Sequence, residues 1–373
     1  ILTGKKSYLN CAYMSPMLKK FEKAGVAGLK IKRAPHKLMP NDFFTGVSNL
    51  KKHFASLINL TDHERIALAP SVSYGMANVT KNIRLKSKNN VVLLGDQFPS
   101  NVYPWMSLTK KYNSELVFVN KPNQEKECGK TWNENILKNI NKNTKVVSMG
   151  MVHWADGTIF DLEKIREKTK EVGALLIIDG TQSVGAMPFD VKKINPDALV
   201  CAAYKWLMGP YGSAVCYFGD FFDEGSPIEE SWINRKGSED FSQLINYQEE
   251  YAKGARKFAV GQQSSFINVA MLTAAIKQIN SWGVENIYKY TESITDDCFD
   301  ILDPSKVWFE EKKHRASHLF GLRPKKNLKV ILKRIKEKNI YVSLRGDSIR
   351  VSPSVYNTRD EIEKLFKCVS EHA

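Results

Sequence analysis

Lys205 stands at the end of an apolar run in CAAYKWLMGPYGSAV (201–215), just before a turn carrying Gly209, Pro210 and Gly212. Ligands of open α/β sheets sit beyond strand ends. An amine desolvated there has a lowered pKa and forms Schiff bases with carbonyl compounds. Taken alone, a strand-end lysine more often snorkels to water. A second feature shifts that balance. ALLIIDGTQSVG (174–185) ends an apolar stretch on Asp179, with Gln182 close behind. A carboxylate at a strand end can pair with a protonated ring nitrogen, and a pyridinium so held is an electron sink for a carbanion at a substrate α-carbon. Read in isolation, Asp179 is more readily a helix N-cap after the strand. Third, IALAPSVSYGMANVTKNI (66–83) passes from an apolar stretch through Pro70, Ser71 and Ser73 into a helical pattern. Backbone N–H groups at such a start bind phosphate or are simply capped.

The elements that must position these groups are legible as alternating runs. VVLLG (91–95), ELVFV (115–119), KVVSMGMV (145–152), ALLIID (174–179), ALVCAAY (198–204) and SAVCYFG (213–219) have strand length and continuous apolar character. Such strands are buried on both faces of a parallel sheet. Helical patterns such as DLEKIREKTKEVG (161–173) lie between them. The fold class is therefore α/β, with a large domain of mostly parallel sheet over residues 20–255. From 256 to 373 helical segments dominate, with strand-like pieces and helices over 327–338 and 358–371. This predicts a smaller α+β domain, completed by the N-terminal arm 1–19.

Composition narrows the class. A hydrophobic fraction of 43% supports a sizeable core. No apolar run is long enough to span a membrane, and ILTGKKSYLN at the start has no charged-then-apolar signal pattern. The six cysteines are scattered without CxxC or zinc-type spacing, which predicts a reduced, cytoplasmic protein with no metal centre. The formal charge of +15 raises nucleic-acid binding. The lysines, however, are dispersed, and the densest stretch, PKKNLKVILKRIKEKNI (324–340), has the helical spacing of a wet amphipathic face. No nucleic-acid partner is expected.

In combination, SVSYGMANV, DQFPSNVYPW, MVHWADG, IIDGTQSVG, YKWLMGPYG, KFAVGQQS and IRVSPSVYNT, in this order, resemble the class V branch of fold-type I enzymes dependent on pyridoxal 5′-phosphate (PLP). That branch includes class V aminotransferases, cysteine desulfurases, kynureninases and isopenicillin-N epimerase-like proteins. The resemblance covers nearly the whole chain and implies a role for each matched residue. Lys205 would carry the cofactor as a Schiff base and shuttle the α-proton. Asp179 would pair with the pyridine nitrogen and Gln182 with the ring hydroxyl. Val72 and Ser73 would donate to the phosphate, with Tyr204 adding its phenol. Phe98 would stack on the ring; its alternative is a core phenylalanine. Gln262 falls where a neighbouring subunit of the family homodimer reaches the phosphate. Arg350 matches the arginine that grips the substrate α-carboxylate, a task suited to a bidentate fork; its alternative is a surface ion pair.

Departures from the family pattern are equally informative. Desulfurases carry a nucleophilic cysteine on a loop shortly before the arginine motif. Here that stretch is NIYVSLRGDSIRVS (339–352), short and free of cysteine. Trp154 stands where desulfurases have an asparagine near the ring hydroxyl, and Ala202 where several relatives have a phosphate-binding serine. Trp154 and His153 are candidate substrate-side residues; His153 reads as an acid/base group or as polar packing in the site wall. The expected function is a class V aminotransferase-like enzyme acting on a small amino acid. A kynureninase-like or sulfur-amino-acid lyase, or an epimerase, is the alternative, and a non-catalytic basic binding protein the remote one.

Overall fold

The computed structural model describes residues 6–123 and 126–373. Thirteen strands are present among them. In chain order these are β1 Ser7–Tyr8, β2 Ile66–Ala69, β3 Asn90–Leu94, β4 Glu115–Val119, β5 Thr144–Met149, β6 Leu175–Asp179 and β7 Ala198–Ala202. They continue with β8 Ala214–Phe218, β9 Val307–Trp308, β10 Phe320–Pro324, β11 Ile340–Tyr341, β12 Ser343–Arg345 and β13 Ser348–Val351.

Strands β2 to β8 form one seven-stranded sheet in the order β2-β8-β7-β6-β5-β3-β4. All its neighbours pair in parallel except β8, which runs antiparallel to both β2 and β7. The continuous apolar runs have their reason here. The strands NVVLL, IALA, ALVCA and AVCYF are buried at every position, because hydrophobic layers cover both faces. One layer holds Leu50, Phe54, Trp132, Leu176, Ile178 and Leu199; the other holds Met76, Val79, Trp105, Ile177, Val200 and Phe258. Strand β4 lies at the edge, and Glu115 and Phe118 are exposed there.

A four-stranded antiparallel sheet, β12-β13-β10-β9, forms a separate core with helices Leu328–Glu337 and Arg359–Ser370. The N-terminal arm joins it: β1 pairs in parallel with β11, and Leu9 is fully buried in that core. Helix Phe266–Trp282 puts Val269, Leu272 and Ile276 into the core beneath the large sheet, so hydrophobic packing there continues past residue 255. Among the described residues no helix is long and apolar enough to cross a membrane.

Candidate active site

The parallel strands converge their C-terminal ends on one cleft. Strand β6 ends on Asp179 itself. Strand β7 ends at Ala202, three residues before Lys205. Phe98 follows β3, Trp154 follows β5, and helix Val72–Lys81 starts just after β2. A cavity of about 230 Å³ at these ends is lined by Val72, Ser73, Phe98, Trp154, Asp179, Gln182, Tyr204 and Lys205. Strand ends collect loops from many positions in the sequence, so residues far apart in the chain meet there.

Lys205 is 6% exposed. Its turn is fastened by backbone hydrogen bonds from Gly209 N to Ala203 O (2.8 Å) and from Met208 N to Lys205 O (3.0 Å). The amine makes no hydrogen bond or ion pair with the described residues and lies 5.2 Å from the Phe98 ring centroid. Burial lowers its pKa to about 8, against the opposing charge of Asp179 and with help from Arg350 and Arg345. Asp179 accepts a hydrogen bond from Thr181 N at 3.0 Å and forms no ion pair with the described residues. Burial raises its pKa, opposed by Thr181 and by the Lys205 charge. A buried amine and a buried carboxylate, neither ion-paired, are an unfavourable pair to fold around unless a third group joins them.

The start of helix Val72–Lys81 supplies the anion-binding element. Ser71 is the N-cap, its Oγ accepting from Tyr74 N at 3.2 Å. The N–H groups of Val72 and Ser73 precede the first intrahelical bond and have no acceptor among the described residues. Ser73 Oγ donates to Ser100 Oγ at 3.0 Å. Gln182 is clamped in place: its Oε1 accepts from Trp206 Nε1 at 2.9 Å, and its carbonyl lies 2.8 Å from His318 Nε2.

A second cavity of about 230 Å³ continues from the first. It shares Phe98, Trp154, Tyr204 and Lys205 and adds Arg345 and Arg350. Arg350 is 1% exposed. Nη1 donates to the Trp154 carbonyl at 3.0 Å, while Nε and Nη2 are buried without a partner. Burial, then the Arg345 charge, lowers its pKa to about 9. It is not a surface ion pair.

Two residues singled out in the sequence lie elsewhere. His153 lines neither cavity. It is buried with Nδ1 3.1 Å from Asp156 Oδ1 and its ring 5.0 Å from that of Trp132, as polar packing behind the site wall. Gln262 is exposed and lines an adjacent cavity with Pro70, Gly212 and Ser213, not the Lys205 cleft. Thr181, Ser100, Tyr211 and Arg345 line the site without having been read from the sequence. Tyr211 lies in the MGPYG turn after Lys205, and Arg345 lies five positions before Arg350. In both cases proximity to a singled-out residue was the available signal. None of the six free cysteines lines either cavity.

Residues 30–365 match the Aminotransferase class-V family model. The chain belongs to the class-V aminotransferase family. It is 27% identical over 327 residues to the "Uncharacterized aminotransferase YcbU" of Bacillus subtilis (strain 168), covering 84% of this chain and 80% of that protein. It is 26% identical over 349 residues to a "Probable cysteine desulfurase" of Pyrococcus abyssi, covering 86% and 82%. Among solved structures, the cystine C–S lyase C-DES, in complex with its product cysteine persulfide, has a TM-score of 0.86 at 17% identity, over 99% of this chain and 98% of that one. The apo cysteine desulfurase of Thermococcus onnurineus NA1 has a TM-score of 0.81 at 19% identity, over 98% and 94%. These two likenesses establish a shared fold. This class-V family member is a PLP-dependent enzyme, aminotransferase-like in kind. Its cleft fits the cofactor: an unpaired amine, an unpaired carboxylate and two free helix-start N–H groups face one cavity.

Proposed function

We propose that this enzyme transaminates a small α-amino acid, with the cofactor attached at Lys205. The observation that carries the reading is that the unpaired Lys205 amine lines both cavities, the first with Asp179 and the second with Arg350, whose Nε and Nη2 have no partner among the described residues. Bound PLP supplies an aldehyde for that amine and a ring that accepts the electron pair left at the substrate α-carbon.

The chain's own residues do the rest. Val72 and Ser73 N–H groups hold the phosphate at the helix start. Phe98 and Gln182 orient the ring, and Asp179 keeps a proton on its nitrogen. Arg350 takes the substrate carboxylate through its two unpartnered donors, which sets the α-carbon next to Lys205. The Lys205 amine, its basicity reduced by burial, would accept and hold the proton from the substrate α-carbon. With no thiol lining either cavity, a persulfide carried on this chain is disfavoured.

A lyase outcome is the second reading, and Tyr204 favours it. Its ring centroid is 5.5 Å from Lys205 Nζ, which puts a phenol proton donor beside the amine. A spectral screen of amino acids against the holoenzyme tests both. Conversion to a pyridoxamine-type spectrum is the expected result. Release of pyruvate, alanine or sulfide without that conversion overturns transamination in favour of a lyase, and inert behaviour toward every amino acid overturns both.

The homodimer and the compartment belong to the same proposal. We propose that the homodimer partner supplies a further phosphate contact through Gln262, which is exposed in a cavity whose Pro70 and Gly212 also line the Lys205 cleft. Sedimentation of an active monomer would remove that assignment. Six free, buried thiols support a reducing compartment such as the cytoplasm.

A further inference from the structure

Arg350 is not the only guanidinium in the substrate cavity. Arg345, at the end of β12, lines the same space. Its position follows from a tight hairpin. Strands β12 and β13 are joined by Gly346 and Asp347 alone, Gly346 has φ +59°, and Arg345 sits opposite Ser348. A glycine at the first position of a two-residue turn suits a primed hairpin turn. Where desulfurases carry their cysteine-bearing loop, this chain has a short turn that begins on an arginine.

The charges in this cavity do not balance. Lys205, Arg345 and Arg350 line it, and no aspartate or glutamate does among the described residues. Arg345 and Arg350 lie 5.4 and 5.9 Å from the centroid of the Trp154 ring, so one indole flanks both. Arg345 Nη1 donates to the carbonyl of its own neighbour Leu344 at 2.7 Å, and its Nε is buried without a partner. The adjacent Asp347 is engaged elsewhere, 3.3 Å from Arg323 Nε. Two guanidiniums held side by side without counter-charge repel each other, and burial penalises each. A single carboxylate occupies only one guanidinium fork, so relieving both takes two acid groups.

On the reading that Arg350 takes the α-carboxylate, we propose that Arg345 takes a second acid group, so that the preferred substrate is an amino acid with an acidic side chain. The α-amine faces Lys205, the α-carboxylate faces Arg350, and the distal anion reaches toward Arg345 along the Trp154 wall. The same pair accepts dicarboxylates that lack an amine.

Calorimetric binding of succinate and of butyrate to the PLP-loaded protein tests this, since the two differ only in the second carboxylate. Succinate is expected to bind about tenfold or more tightly than butyrate, the range of one charge-assisted hydrogen-bonded contact. Arg345→Gln brings succinate down to the butyrate level and leaves butyrate unchanged. Arg350→Gln weakens both. A visible cofactor band in Arg345→Gln shows that the fold and the PLP site are intact. Equal binding of the two acids by the wild type, or an Arg345→Gln effect of the same size on both, overturns the proposal. If the protein takes up no PLP, the proposed catalytic role of Lys205 falls, while the succinate–butyrate comparison on the apo protein still decides the role of Arg345. A spectral titration with aspartate against asparagine extends the test to substrates, with aspartate saturating at the lower concentration.

Discussion

Arg350 Nη1 donates to the main-chain carbonyl of Trp154 at 3.0 Å. That single bond ties β13 of the small sheet to the loop after β5 of the large one. It uses one donor and fixes the plane of the guanidinium, and Nε and Nη2 stay buried without a partner. Leaving buried donors unmade is costly, so the arrangement is that of a fork held open for an anion.

Arg350→Ala removes the fork without touching the cofactor cleft. Substrate binding is expected to weaken by about tenfold to a hundredfold, as for one charge-assisted contact. The visible PLP band is expected to remain, because Arg350 does not line the cavity that holds Lys205 and Asp179 together. Parallel spectral titrations of the wild type and the variant with an amino acid measure this, and loss of bound PLP would contradict the placement.

Lys205 gives a pH prediction for the apo protein. Burial lowers its folded pKa to about 8 from an ordinary value of 10.5. Below pH 8 the amine is protonated both folded and unfolded, so the folded state carries the full desolvation penalty. Between the two values the unfolded chain binds the extra proton, and stability rises with pH. Lys205→Met, which fills the same space without charge, is therefore expected to be more stable than wild-type apo protein below pH 8, by about 3 kcal/mol. The gap closes toward pH 10.5. Denaturant midpoints across that range measure it. Cofactor capture, which needs the neutral amine, is expected to speed up through pH 8 in the wild type and to be non-covalent in the variant.

Asp179→Asn separates charge from shape. The amide still accepts from Thr181 N, so the turn after β6 is kept. The negative charge that would hold a proton on the ring nitrogen is lost. PLP binding is expected to persist, with turnover reduced on the order of a hundredfold, as when one preorganised electrostatic contact is removed. Steady-state rates beside the cofactor absorbance distinguish this from simple cofactor loss.

The legible part of this molecule was its strands and its strand ends. Runs such as ALLIID and ALVCAAY declared themselves because burial on both faces demands continuous apolar character, and the chemistry sits where those runs stop. Order in the sheet was not legible. Nothing in SAVCYFG distinguishes an antiparallel strand between two parallel neighbours from another parallel one, yet β8 is antiparallel on both sides. Partnerships between distant side chains were equally hidden. His153 looked like a site residue because it adjoins Trp154, and only the packing against Asp156 and Trp132 shows which way it faces. Arg345 is hidden for the opposite reason: in the sequence an arginine beside a Gly-Asp turn has the look of solvent-exposed charge, and only the cavity behind it gives it a role.

Asp156 is where the two sheets are locked together, and it supplies the last prediction. The residue is 2% exposed. Oδ1 lies 3.1 Å from His153 Nδ1 and accepts from Thr158 N and Oγ1, while Oδ2 pairs with Lys121 and, at 3.4 Å, with Arg323 of β10. Its carbonyl accepts from Gly321 N, also on β10, at 2.9 Å. Burial would raise its pKa, but His153 and Lys121 outweigh that and hold it well below its ordinary value of 3.8. A depressed carboxylate contributes stability that is present above the unfolded pKa and lost as pH falls through the folded one. Asp156→Asn is therefore expected to destabilise the protein by about 3 kcal/mol at neutral pH, because Lys121 and Arg323 lose their common counter-charge. The difference from wild type should shrink in acid, below the ordinary carboxylate range. A second consequence separates this from a generic loss of stability. Asp156 braces the turn that presents the Trp154 carbonyl to Arg350, so the variant is expected to raise KM for the amino acid while kcat stays near the wild-type value. Denaturant titrations from neutral pH into acid, with steady-state kinetics at a temperature where both proteins are folded, measure the two effects. An unchanged KM in a destabilised variant would confine Asp156 to holding the sheets together.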